Sequence, residues 1–243
     1  AGAAFEVFFL SDTRDPAAAR EEELAFARLR AARPAAAFFY RRRASNAGKK
    51  AGNVADFVRR WGGRYDYMVV FDADSLMTAP SLMELVRRMD ADPGLGLVQT
   101  LPSIVNARTV YARTQQFAMR AYGPIFGAGL AWWSGGAGNF WGHNAIIRVS
   151  AFAAHAGLPR LPGAAPLGGP ILSHDFVEAA LMRRAGWRIE IAPDIQGSFE
   201  ETPPTLADAA VRDRRWAQGN LQHVALLRAR GFHWLSRAHI AAG

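Results

Sequence analysis

Two carboxylates at the end of an apolar run are the clearest sign of chemistry in this sequence. Residues 68–71 are all apolar and lead directly into Asp72, with Asp74 two positions later. Because side chains alternate along an extended strand, the two aspartates should point to the same face. Ligands of parallel α/β sheets bind beyond the carboxyl ends of the strands. Carboxylates in that position suit Mg²⁺ or Mn²⁺, so the motif indicates a nucleotide or another phosphorylated substrate.

A further carboxylate, Asp12, follows a strand predicted over residues 5–10 and so lies at a second carboxyl strand end. There it would accept hydrogen bonds from a base or a ribose. Asp12 and Asp15 also precede a helical run, which is typical of a turn or a helix cap. The residues alone leave both interpretations open.

Asp175 stands at the start of a helix predicted over residues 174–186. A carboxylate in this position can act as a general base that deprotonates an attacking hydroxyl. Glu178 follows three residues later, and an acid at that spacing is also typical of a capped helix N-terminus. Both interpretations therefore stay open from sequence.

The segment from Arg212 to Trp216 carries three arginines and an indole on a predicted helix. Arginine is well suited to bidentate phosphate contacts, and an indole offers a flat apolar face to a sugar ring. A solvated helix face with a core tryptophan is the alternative. His143 and His174 have neither the H-x-x-x-H spacing nor a cysteine partner, so a zinc site is not indicated.

Strand-like and helical runs alternate along the chain, which is typical of a mostly parallel sheet flanked by helices. The predicted strands are residues 5–10, 36–40, 66–72, 95–100 and 187–192. The predicted helices are residues 16–32, 53–61, 79–91 and 174–186. Residues 107–133 are mainly helical, with a kink or an end expected at Gly123-Pro124, and residues 158–170 should form a long irregular loop. We expect a single α/β domain over residues 1–243.

The chain has 29 Lys and Arg against 21 Asp and Glu, a net charge of +8, and no cysteine. Its densest basic cluster, residues 41–43 with 49–50, would suit a phosphorylated substrate, an anionic membrane face or nucleic acid. Aromatic residues are not interleaved with these cations, so no nucleic-acid partner is expected. The longest uncharged apolar stretch, residues 121–133, is too short and too broken to cross a bilayer. The lack of cysteine fits a reducing compartment.

Eight segments in order resemble the membrane-bound, inverting family 2 glycosyltransferases, and among them the synthases of osmoregulated periplasmic glucans. These segments are LSDTRDP, YRRR, KKAGNVADF, YMVVFDADSLM, QQFAMRAYGPIF, FWGHNAIIRV, ILSHDFVEAALMRRAGW and RDRRWAQGNLQH. The resemblance implies a GT-A-like fold that transfers glucose from UDP-glucose to a growing β-glucan. It also implies a domain on the cytoplasmic side of the bacterial inner membrane, anchored by segments outside this chain, and acyl carrier protein as a partner.

The resemblance assigns one group of residues to the nucleotide sugar. This group comprises Asp12, Lys50, Asn53, Asp72, Asp74 and Arg215. Asp12 would contact the uracil end of UDP, and Asp72 and Asp74 would bind the diphosphate through Mg²⁺ or Mn²⁺. Arg215 would contact the pyrophosphate.

The resemblance assigns a second group to the acceptor and the chemistry. Asp175 takes the place of the family's catalytic base, in a motif that here reads Ser173-His174-Asp175. The acceptor-binding residues would be Trp216, Gly142, His143 and Asn144. The chain departs from the family at Arg212, which stands where a Gln is expected.

Members of the family begin this fold with a strand that ends in a P-x-x-N-E-like motif, and nothing before Phe5 supplies it. In the family fold that strand lies between those predicted at residues 5–10 and 66–72. The resemblance therefore implies a sheet without its first strand. We expect the 243-residue segment alone to be marginally stable and inactive.

Three other functions remain open. A polysaccharide synthase of the same family could use a different sugar or linkage. A degenerate domain could bind UDP-sugar as a sensor, although neither the base nor an acid of the pair is lost. Phe71 to Leu76 also approximates the nucleophile motif of haloacid-dehalogenase-like phosphatases, in which Asp72 would be phosphorylated.

Overall fold

The computed structural model of this chain describes residues 5–242. The chain forms two compact units, Ala1–Trp61 and Gly62–Gly243. Both mix helices with parallel strands, which confirms the α/β class. The single domain expected over residues 1–243 stays a prediction.

The first unit contains β1 (Val7–Ser11), α1 (Pro16–Ala32), β2 (Phe38–Arg42) and α2 (Lys49–Trp61). The two strands pair in parallel, with Val7 opposite Phe38. Helix α1 has the predicted bounds because Asp15 accepts hydrogen bonds from the first turn and Pro16 follows it.

Helix α2 begins four residues before the predicted residue 53, at Lys49. Gly52 lies in its first turn, where a Cβ would be 2.1 Å from the carbonyl oxygen of Ala47. This glycine therefore allows a close approach of two backbone segments at the helix start and does not interrupt the helix. The ring of Phe57, farther along α2, packs 4.7 Å from the ring of Phe8 on β1.

The second unit is larger. Its strands are β3 (Tyr67–Val70), β4 (Leu76–Met77), β5 (Leu95–Thr100), β6 (Ser103–Ile104), β7 (Ala145–Arg148), β8 (Arg160–Leu161), β9 (Gly169–Pro170), β10 (Arg188–Ala192) and β11 (Ser198–Glu200). Its helices are α3 (Ala79–Ala91), α4 (Val110–Ser134), α5 (Val149–His155), α6 (His174–Arg184), α7 (Leu206–His223) and α8 (Trp234–Ala242), with 3₁₀ turns at Gly62–Arg64 and Val224–Leu226.

The main sheet of the second unit has the strand order β10-β5-β7-β3. Strands β3, β5 and β10 run in the same direction, as predicted, whereas β7 lies between β5 and β3 and runs antiparallel to both. Strand β7 was not predicted. All six residues of β5 are buried, because helices or other segments cover both faces of the sheet.

A core cluster joins this sheet to α3. Its buried members are Leu85, Met89, Leu95, Val98, Ile146, Ala192 and Ile195. Helix α3 has the predicted bounds, and Leu85 and Met89, one turn apart, are both fully buried. The carboxyl end of β3 is thus anchored on a packed sheet, while β3 itself forms the edge of that sheet among the described residues.

The structure narrows one prediction for the second unit and corrects another. Helix α4 does not end at Gly123-Pro124, and the kink expected there stays a prediction. Helix α4 continues through Pro124, whose ring lies on an exposed side of the helix where water can satisfy the carbonyl group left unpaired. The irregular loop predicted over residues 158–170 contains a short antiparallel pair, β8 with β9. Over residues 5–242, no helix has both the length and the hydropathy of a membrane span.

Candidate active site

The acidic pair lies on a turn that follows β3. Strand β3 ends at Val70, so Asp72 and Asp74 owe their placement to the turn and not to strand alternation. The Asp72 N–H donates to Ser75 Oγ at 3.1 Å, and the Ser75 N–H donates to the Asp72 carbonyl oxygen at 3.1 Å. These reciprocal hydrogen bonds fix the turn through its backbone. The side chain of Asp72 is half-buried and that of Asp74 is exposed.

This turn fits a cation that takes few protein ligands. Among residues 5–242, no group of three or more His, Cys, Asp or Glu side chains is arranged to hold a metal ion. Mg²⁺ is commonly bound through one or two carboxylates, and substrate phosphate and water complete its shell. Asp72 and Asp74 match that donor set, whereas a cage made only of protein ligands is not formed in the described part of the chain.

His143 connects this turn to the rest of the unit. Gly142 precedes it with a φ of 88°, a conformation that favours glycine. The His143 Nδ1 atom lies 3.4 Å from Ser75 Oγ and 3.1 Å from Asn144 Oδ1. On the other side of the ring, Nε2 lies 3.4 Å from Glu200 Oε2. Both ring nitrogens therefore face polar partners.

Asn144 is fully buried and serves as a structural link. Its Nδ2 donates to Ser198 Oγ at 2.8 Å and to the Phe199 carbonyl oxygen at 3.1 Å. Its backbone carbonyl accepts from Thr100 Oγ1 at 2.7 Å. Since 0% of Asn144 is exposed, its side chain does not reach the surface where an acceptor would bind.

Glu200, at the end of β11, was missed by the sequence analysis. Burial raises the pKa of Glu200 above its ordinary value, and the negative charges of Asp74 and Asp72 raise that pKa further. The charges of His143 and Arg212 lower the same pKa. The carboxylate of Glu200 thus lies within electrostatic reach of the acidic turn, the histidine and α7.

Asp175 lies in the first turn of α6 but does not cap the helix. The N-cap residue is Ser173, and Asp175 Oδ1 accepts a hydrogen bond from the adjacent Phe176 N–H at 3.2 Å. Glu178 Oε2 is 3.0 Å from His174 Nδ1, and the cap position belongs to Ser173 and not to Asp175. The capping-box interpretation of Asp175 and Glu178 is therefore wrong, and the half-buried Asp175 carboxylate remains available for chemistry.

Helix α7 packs against the start of α6 through a glycine. A Cβ on Gly219 would lie 2.1 Å from Ser173 Oγ and 2.7 Å from Ser173 N. The His223 Nε2–H donates to the Ser173 carbonyl oxygen at 2.8 Å. Trp216 is one turn before Gly219 on the same helix, so this packing places it near the helix start that carries Asp175.

Arg212 covers one face of the indole of Trp216. The guanidinium carbon lies 4.3 Å from the ring centroid, and Trp216 is still 54% exposed. A stacked guanidinium orients the indole and leaves surface open for an apolar sugar face. Arg215 is exposed and forms no hydrogen bond or ion pair within the described residues, so it is free to bind an anion.

In the first unit, Asp12 is held by an arginine. Arg43 donates from Nε to Asp12 Oδ1 at 2.7 Å and from Nη2 to Asp12 Oδ2 at 2.6 Å. The helix cap of α1 is Asp15, so the cap interpretation of Asp12 is wrong. The flanking hydroxyls of Ser11 and Thr13 donate to Glu22. This loop is therefore pre-organised by side chains.

Asn53 ties α2 to the end of β1. It is only 6% exposed, its Nδ2 donates to the Leu10 carbonyl oxygen at 3.1 Å, and its Oδ1 accepts from Arg41 Nη2 at 2.8 Å. Lys50 is half-buried in the first turn of the same helix. The nucleotide contacts predicted for Lys50 and Asn53 stay predictions.

Comparisons with known proteins agree on one family. Residues 67–242 match the model of the glycosyl transferase family group 2. A relative from Vibrio cholerae serotype O1, called glucans biosynthesis glucosyltransferase H, is 57% identical over 243 residues, which are 100% of this chain and 34% of the relative. A relative of the same name from Shewanella sp. (strain ANA-3) is 58% identical over 100% of this chain and 33% of its own length. The chain thus spans about a third of the length of these relatives.

Proposed function

The chain belongs to glycosyl transferase family group 2, and from this premise we propose that it carries the catalytic centre of an inverting glucosyltransferase. The proposed reaction moves glucose from UDP-glucose to a growing β-glucan. The name shared by the relatives, which are 57–58% identical to the chain, supports glucan synthesis. The proposal concerns the whole protein, of which this chain is a part.

The observation that carries the proposal is the exposed carboxylate of Asp74 on a turn fixed by its own backbone. Within residues 5–242, Asp74 makes no hydrogen bond or ion pair. An exposed carboxylate beside the half-buried Asp72 creates negative potential where a cation can bind. Mg²⁺ or Mn²⁺ held there would neutralise charge that develops on the leaving diphosphate.

Three other residues of the second unit would supply the remaining functions. Arg215 would bind the diphosphate through charge-assisted hydrogen bonds, since it has no partner among the described residues. Trp216 would support the acceptor sugar on its exposed surface. Asp175 would take the proton from the acceptor hydroxyl as that oxygen attacks the anomeric carbon. The bond from that carbon to UDP breaks on the opposite side, so the configuration inverts.

The position of Asp175 suits a base. The hydrogen bond from the Phe176 N–H engages only Oδ1, so Oδ2 can accept a proton from substrate. Packing of Gly219 against Ser173 keeps this turn in place without using the carboxylate.

The proposal also includes the cellular location of the domain and its partners. We place the domain on the cytoplasmic side of the bacterial inner membrane, with the membrane attachment supplied by parts of the protein outside this chain. The partners would be UDP-glucose, the glucan acceptor and acyl carrier protein. A related synthase with another sugar or linkage is the alternative within the same family.

The proposal is tested with the full-length protein in isolated membranes. UDP-glucose should yield polymer, UDP-galactose and UDP-N-acetylglucosamine should not, and EDTA should stop synthesis until Mg²⁺ or Mn²⁺ is restored. Comparable polymer from another UDP-sugar would favour the alternative synthase. If none of the donors gives polymer while the protein is folded, the proposed function is wrong.

A further inference from the structure

Glu200 lies at the end of β11 in the second unit and has no role in the proposed reaction. Strand β11 pairs in parallel with β6 on one side and antiparallel with β4 on the other. The Glu200 carbonyl oxygen also accepts from the Val105 N–H at 2.9 Å. Since neighbours on both sides fix the backbone, the Glu200 side chain has a defined origin.

The strand register brings Glu200 to the acidic turn. Phe199 lies opposite Leu76 in the antiparallel pair, so the next residue on β11 is opposite Ser75. Ser75 is the residue whose hydroxyl accepts from the Asp72 N–H. The backbone ladder therefore links Glu200 to the turn independently of any side-chain contact.

A side-chain path makes the same connection. Glu200 Oε2 lies 3.4 Å from His143 Nε2, and His143 Nδ1 lies 3.4 Å from Ser75 Oγ. Both Nδ2 hydrogens of Asn144 go to Ser198 and Phe199, which leaves its Oδ1 as the acceptor that faces His143. His143 Nδ1 must then carry a hydrogen.

This assignment determines what Glu200 can do. With a hydrogen on Nδ1, a neutral His143 ring presents a lone pair at Nε2, and a carboxylate would repel it. A single proton shared by His143 Nε2 and Glu200 Oε2 replaces this repulsion with a hydrogen bond, whichever of the two residues carries the proton. The pair then clamps the ring between β11 and the turn.

We propose that Glu200 is a positioning residue that orients His143 and thereby holds the Asp72–Ser75 turn in the conformation that receives the diphosphate of the donor. The inference rests on the proposed function for its substrate. Glu200 does not touch the reacting atoms, so its effect should appear in donor binding. Arg212, on the helix that carries Trp216, is close enough for its charge to lower the pKa of Glu200.

The test compares Glu200→Gln with Glu201→Gln in the full-length protein. Glu201 is the adjacent residue, is exposed and accepts a hydrogen bond from Asn106, so its variant should behave as wild type. Glu200→Gln should raise the KM for UDP-glucose about tenfold and change kcat less than about threefold. A merely structural role would lower the amount of active protein, and hence the apparent kcat, at constant KM.

A double variant and a direct binding assay complete the test. Glu200→Gln combined with His143→Gln should weaken UDP binding no more than the stronger single variant, because both act through one contact. Equal UDP affinity of Glu200→Gln and wild type, measured by titration, would overturn the inference. If Glu200→Gln does not accumulate, Glu200→Asp is judged by the same criterion. UDP binding is measurable even if wild type makes no glucan, which separates failure of this inference from failure of the proposed function.

Discussion

Asp12 and Asp74 both follow a β-strand, yet only the charge of Asp12 is paired with a cationic side chain among the described residues. Asp12 accepts two hydrogen bonds from the guanidinium of Arg43, at 2.7 and 2.6 Å. Asp74 is exposed and has no hydrogen bond or ion pair within residues 5–242. One charge is used to shape a loop, and the other is left for a ligand. Aspartates at similar strand ends thus differ in whether a side chain of the chain itself pairs with them, and the uracil contact predicted for Asp12 stays a prediction.

The two loops are also stabilised by different parts of the chain. Side chains organise the loop around Asp12, since Ser11 and Tyr40 both donate to Glu22. The turn around Asp74 is organised through backbone groups and the hydroxyl of Ser75. A turn stabilised in this way leaves the carboxylate of Asp74 open, which is what a cation site requires.

Of the changes that test this contrast, the one at the open carboxylate should have the largest effect. Asp74→Asn in the full-length protein should lower glucose transfer by about 10²–10³-fold, because the cation and the diphosphate lose a charged partner. Its melting temperature should stay that of wild type, since no internal contact is lost. Radiolabelled glucan synthesis and thermal unfolding measure the two effects. Full activity with lowered stability would reverse the contrast with Asp12.

The position of a third carboxylate, Asp175, depends on helix packing. Neither a paired arginine nor a hydrogen-bonded turn holds it. Gly219→Ala would place a Cβ 2.1 Å from Ser173 Oγ and force α7 away from the start of α6. We expect a loss of about 1–3 kcal/mol in unfolding free energy together with reduced transfer.

Gly129→Ala is the matched control for this substitution. Gly129 also lies inside a helix, α4, but a Cβ there would meet nothing within 4 Å. Its helix propensity should improve, so stability should rise by about 0.5–1 kcal/mol. Equal effects of the two substitutions in thermal unfolding would mean that the contact with Ser173 does not position Asp175.

Asp12, the paired carboxylate, should affect stability, unlike Asp74. Asp12→Asn removes the charge that Arg43 faces, and the side chain of Arg43 is only 11% exposed. We expect about 1–2 kcal/mol less local stability in the first unit. Hydrogen exchange of the β1 and β2 amides in the full-length protein measures it. Asp15→Asn, which keeps a good helix cap, should leave the same amides unchanged.

The smallest effect concerns pH. Hydrogen bonds from Ser11 and then Thr13 hold the pKa of Glu22 below its ordinary value of 4.5. A lowered pKa in the folded state gives stability that is present above pH 4.5 and is lost as the pH falls through the lower folded pKa. Glu22→Gln should therefore flatten the acid-side decline in protection of the first unit. If protection against hydrogen exchange below pH 4.5 declines equally in Glu22→Gln and wild type, Glu22 does not cause the acid-side loss of stability.

Local signals explain what could be predicted from sequence. Helices α1 and α3 have their predicted bounds because a proline in the first turn marks each start and an apolar face follows. The acidic turn was found because an apolar strand leads into it. These features depend on residues that are neighbours in sequence.

Features that rest on distant contacts were not predictable. Glu200 lies on a strand of three residues, and one of the two partners of that strand is more than a hundred positions earlier in the chain, at Leu76. The spacing of Asp175 and Glu178 matches a capping box, and only the structure shows that Glu178 pairs with His174. Strand β7 has four residues and lies antiparallel in an otherwise parallel sheet, so alternation of strands and helices could not indicate it.

The most direct test of the account is the activity of Asp175→Asn in the full-length enzyme. In membranes with equal amounts of protein, this variant should bind UDP as wild type does but make glucan about 10²–10⁴-fold more slowly, because an amide cannot accept the hydroxyl proton. Asp66→Asn, a change at an exposed aspartate before β3, is the control and should be fully active. Normal glucan synthesis by Asp175→Asn would contradict the proposed mechanism.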